Sequence, residues 1–251
     1  MNPYLQNLKK IEFVVGYACT GKCRHCSQGD HAESGEHISP EIAIETVRWV
    51  TKHYPIQTVM AFGGEPLLYA ETVYAIMEAA REAGVPHRQV ITNGYFTKDV
   101  EKMQMVASML LQCGVNDLLL SVDSFHQEYI PVKTVLDFAL CAKEAEIPLR
   151  VQPAWLVSKD DDNVYNRQTK EYLSIFKEHG FSENEGNVIF PEGNAKLFLA
   201  PYFEGNVPEN PYVEDPWDVR CLSIDANGDV LQGNLYKQSI AKMISEYQPN
   251  P

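Results

Sequence analysis

Six times along this chain a short apolar run gives way to a helical pattern, and that alternation leaves few folds open. The runs are IEFVVGYA (11–18), QTVMAFGG (57–64), HRQVITNG (87–94), DLLLSVD (117–123), LRVQPAWLV (149–157) and NVIFPEG (187–193). The segment SPEIAIETVRWVTKHY opens with Ser39 in a capping position and Pro40 in the first turn, and AETVYAIMEAAREAG is stopped by Gly84. A further helix is expected from about Thr97 to Cys113, and VKTVLDFALCAKEAE and NVYNRQTKEYLSIFKEHG follow the fourth and fifth strands. Repetition of this kind demands a parallel sheet with right-handed crossovers. Six units suit an open α/β architecture, either a partial (β/α)6 TIM-like barrel or a doubly wound sheet. In both, chemistry gathers at the C-terminal ends of the strands.

Those ends carry the chemically distinctive residues. Cys19, Cys23 and Cys26 follow the first strand, GGEP (63–66) ends the second and TNG (92–94) the third. SVDSFH (121–126) ends the fourth, Gln152 lies in the fifth, and PEG (191–193) ends the sixth. Three thiols within eight positions read as a metal site rather than a disulfide framework. Structural zinc takes four ligands, usually as two separated pairs, and no second pair exists here. His25 lies inside the loop, but it adjoins Cys26, where neighbouring side chains diverge. A cubane [4Fe–4S] cluster fits one loop better, because three of its irons are within reach and the fourth stays open. A zinc knuckle is the competing reading.

The two motifs together carry a resemblance. Cys19-x3-Cys23-x2-Cys26 after a first strand, with His25 as an aromatic-type residue before the last cysteine, resembles the signature of the radical S-adenosylmethionine (radical SAM) enzymes. AFGGEPLL is similar to that family's GGEP motif, and ITNGY and LLLSVDS resemble its third and fourth strand ends. The likeness spans roughly residues 11–193. It implies one [4Fe–4S] cluster and S-adenosylmethionine (SAM) as cofactors. It also implies reductive cleavage of SAM to methionine and a 5'-deoxyadenosyl radical that abstracts a hydrogen atom from a substrate. By the same resemblance Gly63, Gly64, Glu65 and Pro66 meet the methionyl ammonium group or brace the turn that does. Asn93, Ser121 and Asp123 offer groups for the ribose or the methionine carboxylate. Arg150 and Gln152 alternate on one face of the fifth strand and are candidates for that carboxylate. A one-electron reductant such as flavodoxin or ferredoxin is the implied partner.

Beyond residue 193 the pattern changes, so the expected division is a core over 1–193 and an extension over 194–251. Pro201, Pro208, Pro211 and Pro216 mark 194–218 as an irregular strap across the barrel mouth. CLSIDANGDVLQGN then reads as two short strands joined at Asn227-Gly228, and KQSIAKMISEY as a terminal helix. This stretch resembles the start of the SPASM or twitch extensions of peptide-modifying radical SAM enzymes. Gly233 or Asn234 stands where a further cysteine ligand is expected, so one cluster per chain is predicted. Cys221 is then either a packing thiol or a hydrogen-atom donor to a substrate radical. His126 is a candidate proton donor or a loop fastener; Asp123 could instead cap the segment that follows it. Cys113 and Cys141 read as packing residues on helices.

The substrate is expected to be a peptide or a small molecule, with epimerase, mutase or glycyl-radical activation as alternative outcomes. A non-catalytic zinc-binding interaction module is the alternative from another class. The formal net charge of −13, with no basic block, disfavours nucleic acid. No 18-residue apolar run or signal-type N-terminus is seen, so a membrane role is not expected and a cytoplasmic location is.

Overall fold

The computed structural model describes residues 2–30, 34–205 and 207–249. In chain order its main elements are β1 (Lys10–Val14), α1 (Pro40–His53), β2 (Thr58–Phe62), α2 (Ala70–Glu82), β3 (His87–Thr92), α3 (Val100–Cys113) and β4 (Asp117–Ser121). Then come α4 (Ser124–Gln127), α5 (Val132–Glu144), β5 (Leu149–Gln152), β6 (Ala154–Trp155), α6 (Val164–Glu178), β7 (Ser182–Glu183) and β8 (Asn187–Val188). The chain closes with α7 (Gly193–Phe198), β9 (Cys221–Ile224), β10 (Asp229–Val230), β11 (Gly233–Asn234) and α8 (Ile240–Glu246). No helix among the described residues is long and apolar enough to cross a membrane.

Local chemistry sets several boundaries. Ser39 Oγ accepts from Ile42 N to start α1 after Pro40, and Asp99 caps α3 by accepting from Glu101 N. Gly84, with φ +75°, follows the last turn of α2, as its sequence position predicts.

The main sheet has the order β7-β5-β4-β3-β2-β1-β9, and every pairing in it is parallel. Its two edge strands do not pair with each other, so the sheet is open. Side-chain alternation decides between barrel and doubly wound sheet. Ile11, Phe13, Val59, Ala61, Val90, Leu118, Leu120, Val151, Leu222 and Ile224 share one apolar core with residues of α1, α2, α3 and α5. Their neighbours Glu12, Met60, Gln89, Asp117, Leu119 and Arg150 point to the opposite face, which the helices leave uncovered. Helices on one face of a parallel sheet define a partial, TIM-like barrel rather than a doubly wound fold.

Three expectations change. The expected sixth strand, 187–193, is reduced to β8, which ends at Val188 and pairs with β6, while the strand beside β5 is β7, which lies before that run. Residues 193–203 are helical, as α7 and a 3-10 turn over Ala200–Phe203. The reason is a buried stripe at helical spacing, Ala195, Leu199 and Phe203, which the prolines further on mask in the sequence. Finally, β9 does not form a hairpin with the strand after it. It adds to the main sheet beside β1, because Leu222 and Ile224 are both buried in the main core. The hairpin is β10–β11, and its tip residues Leu231 and Gln232 have φ of +47° and +64°.

Candidate active site

The second strand end is packed against the first. Gly64 N donates to Gly16 O at 2.9 Å and Glu65 N to Ala18 O at 2.8 Å. A Cβ on Gly64 would stand 2.3 Å from the carbonyl oxygens of both Tyr17 and Ala18. Gly63, at φ +146°, would place one 2.6 Å from Gly16 O. These glycines are therefore required by backbone-to-backbone contact immediately before the cysteine loop.

Glu65 is fully buried, and its carboxylate accepts from Leu67 N (2.9 Å), Thr92 Oγ1 (2.7 Å) and Asn93 N (2.8 Å). Burial pushes this carboxyl up to about 7, against the pull of those three donors. Glu65 is thus the brace between the second and third strand ends, with Pro66 opening the 3-10 turn that follows. Asn93 carries the link onward, since its Nδ2 lies 3.1 Å from Thr20 Oγ1 and 3.7 Å from Cys19 Sγ.

The thiols of the loop are close enough that Cys26 raises the proton affinity of both Cys19 and Cys23, and Cys19 that of Cys23. Burial pushes Cys19 up to about 11, with the Gly21 N–H donated to its sulfur offsetting part of the rise; burial pushes Cys23 further still. A Cβ on Gly21 would stand 3.2 Å from Cys23 Sγ and 3.9 Å from Cys19 Sγ, so the missing side chain keeps space between sulfurs. Buried thiols of this kind become thiolates at neutral pH only beside a cation, so the donor set fits a bound metal group.

The fourth strand end completes the cluster of residues. Asp123 is fully buried; Oδ1 accepts from Phe125 N and His126 N, both at 3.0 Å, and Oδ2 from His126 Nδ1 at 2.8 Å and Ala154 N at 3.2 Å. Burial would raise its carboxyl, but the charge and hydrogen bonds of His126 outweigh it and hold the group at about 2. His126 is brought to the cysteine loop, where its ligand nitrogen, that of His25 and Cys23 Sγ all lie within 4.8 Å of one another. His25 packs on the rings of Phe125 and His126, with centroids 5.0 and 4.8 Å away. Yet its Nδ1 is buried without a hydrogen-bond partner, as are Ser124 Oγ and Gln127 Nε2 on α4, the turn that carries His126.

Other predicted residues stand apart. Ser121 ends β4 opposite Gln152, whose side chain accepts from Asn184 Nδ2. Arg150 is committed to a two-oxygen contact with Asp117, at 2.8 Å to each. Cys221 is buried and faces Lys10, the first residue of β1. At about 3.3 Å per residue this is about 13 Å below the end of that strand, so the fold does not bring Cys221 to the cysteine loop. Cys113 and Cys141 are buried on α3 and α5, as packing residues are.

Sequence reasoning gave Thr92 no role of its own, although it lies inside the TNG motif, and missed Asn194 altogether. The β-branched hydroxyl of Thr92 at a strand end was the available signal. Asn194 had none, because its partners are Cys23 and Cys26.

Fold and site together define a class: a partial α/β barrel that presents three thiols and a glycine turn from the C-terminal ends of its strands. Residues 13–148 match the Radical SAM superfamily, and the chain belongs to that family. No curated protein matches the sequence. Among solved structures, native anSMEcpe with bound AdoMet aligns with a TM-score of 0.62 at 16% identity, over 97% of this chain and 81% of that one. BtrN in complex with AdoMet and 2-DOIA aligns with a TM-score of 0.52 at 15% identity, over 94% and 82% of the two chains. Streptococcus suis SuiB bound to S-adenosylmethionine gives 0.52 at 13% identity, over 97% and 66%. At these identities the likeness is one of fold.

Proposed function

We propose that this enzyme holds one [4Fe–4S] cluster on Cys19, Cys23 and Cys26 and uses it with SAM to start radical chemistry on a peptide or small-molecule substrate. The observation that supports this most is the joining of the cysteine loop to the GGEP turn, with Gly64 and Glu65 bonded to residues 16 and 18. When bound, the cluster and SAM supply one-electron cleavage of a sulfonium carbon–sulfur bond and a radical able to take a hydrogen atom from carbon.

The chain's own residues orient and enclose. Gly63 and Gly64 offer backbone at the end of β2 for an ammonium group. Glu65 is spent on three donors, so it braces that turn rather than meeting SAM. Asn93 borders Cys19, and Ser121 ends the neighbouring strand β4; in this reading both are polar contacts for the cofactor. Asp123 is likewise committed, and acts through His126. A one-electron donor such as flavodoxin or ferredoxin is the implied reductant.

A cavity of about 1430 Å³ opens between the ends of β1 and β9 and the β10–β11 hairpin, lined by residues including Tyr17, Gln28 and Asp225. It has room for a substrate beside the loop. A peptide is favoured by the hairpin-plus-helix extension over 194–251, and by the likeness in fold to anSMEcpe with bound AdoMet and Kp18Cys peptide. The BtrN complex with 2-DOIA keeps a small molecule open.

A second reading rests on the approach of Cys23, His25 and His126, which could hold a single metal ion. Anaerobic incubation of reduced protein with SAM separates the two. Formation of 5'-deoxyadenosine supports the radical enzyme. Colourless protein with bound zinc and no SAM cleavage supports the mononuclear site.

A further inference from the structure

Asn194 lies 171 residues beyond Cys23 and touches it. Its side-chain Nδ2 donates to Cys23 O at 3.1 Å, and its backbone N donates to Cys26 O at 2.9 Å. One residue therefore grips the carbonyls of both cysteines in the Cys23-x2-Cys26 pair. Asn194 is buried, and so are Ala195 and Leu199 in the small core that also contains Cys23 and Phe125.

The preceding residue brings the two segments into backbone contact. Gly193 has φ +50°, and a Cβ there would stand 2.4 Å from Ser27 O, 2.5 Å from Cys26 O and 2.6 Å from Gly29 N. Substitution at 193 would push the whole segment off the loop. Within the loop, Cys26 N donates to Cys23 O (3.2 Å) and Gly29 N to Cys26 O (3.3 Å), so the same two carbonyls also take bonds from the loop itself.

We propose that Asn194 is a positioning residue that fixes the spacing of Cys23 and Cys26 before the metal group binds. The proposal rests on the cluster reading above. The physical reason is preorganisation: a loop already held at ligand spacing loses less conformational freedom on binding, so the bound group is retained longer. The two bonds that Asn194 makes to the pair run to backbone carbonyls, so its effect on the sulfurs is one of position.

The test uses the full chain, reconstituted anaerobically, with iron transfer to a ferrous chelator as the rate measured. Asn194→Ala removes the side-chain donor; the expected result is about tenfold faster iron loss, in line with one buried hydrogen bond. Asn194→Asp is nearly isosteric but sets a carboxylate oxygen against Cys23 O, and is expected to lose iron faster still. Gly193→Ala keeps the amide and breaks the contact sterically, with the same direction of effect. Asn210→Ala is the control, because Asn210 bonds Glu192 on the same strap and is expected to leave the rate unchanged.

The apoproteins of the Asn194 variants are expected to melt within a few degrees of wild type. Wild-type iron-loss rates in the folded variants overturn the proposal. Failure of all three variants to fold also overturns it, because Asn194 would then be a folding residue. A wild-type chain that holds no four-iron cluster overturns the underlying reading instead, and the two failures are distinct.

Discussion

The main core and the small core of this molecule do different work. The main core fills the space between the sheet and its helices with residues from long periodic elements, among them Phe13, Leu110 and Phe138, all fully buried. The small core gathers Cys23, Phe125, Ala154, Leu156, Ile189, Ala195, Leu199 and Phe203 from separate segments beneath the cysteine loop. The first is large and redundant, so it sets whether the chain folds. The second is small and contains a ligand cysteine, so it sets where the sulfurs stand. Placing stability in one core and sulfur geometry in the other means that each can be disturbed with little change in the other.

The largest expected effect lies on the loop itself. Alanine at Cys19, Cys23 or Cys26 should reduce bound iron to below about one per chain, while apoprotein melting shifts by only a few degrees. Equal losses of iron and of folded protein would merge the two roles.

Phe138→Ala, in the main core, should cost about 3–5 kcal/mol in denaturant unfolding and leave iron per folded chain unchanged. Leu199→Ala, in the small core, should cost about 2–3 kcal/mol and speed iron loss several-fold, reversing the balance. If both truncations change iron retention equally, the comparison fails.

The smallest effect expected is a pH dependence. Asp123 is held at about 2 against an ordinary 3.8, so the stability it contributes is present above about pH 4 and lost as pH falls toward 2. Acid unfolding of the apoprotein should show this limb, and Asp123→Asn should flatten it.

What could be read from the chain divides along the same line. Helix starts at Ser39 and stops at Gly84 are local hydrogen-bond and dihedral effects, so nearby residues announce them. The cysteine loop and GGEP are contiguous motifs, and both stand at strand ends as expected. The place of β9 was hidden, because its parallel pairing with β1 joins residues about 210 positions apart, whereas Asn227-Gly228 offered a nearer and misleading partner. The helix α7 was masked by the prolines that follow it. Asn194 acts through bonds to carbonyls about 170 positions away, for which composition and periodicity carry no signal. Register, likewise, put Cys221 at the opposite end of β1 from the loop.

The central claim is best tested by iron and zinc analysis of the anaerobically reconstituted chain, read together with its visible spectrum. The account predicts about four irons per chain, no zinc, and broad absorbance near 400 nm that bleaches on reduction with dithionite. A colourless protein with one zinc, or a chain holding about eight irons, would contradict it.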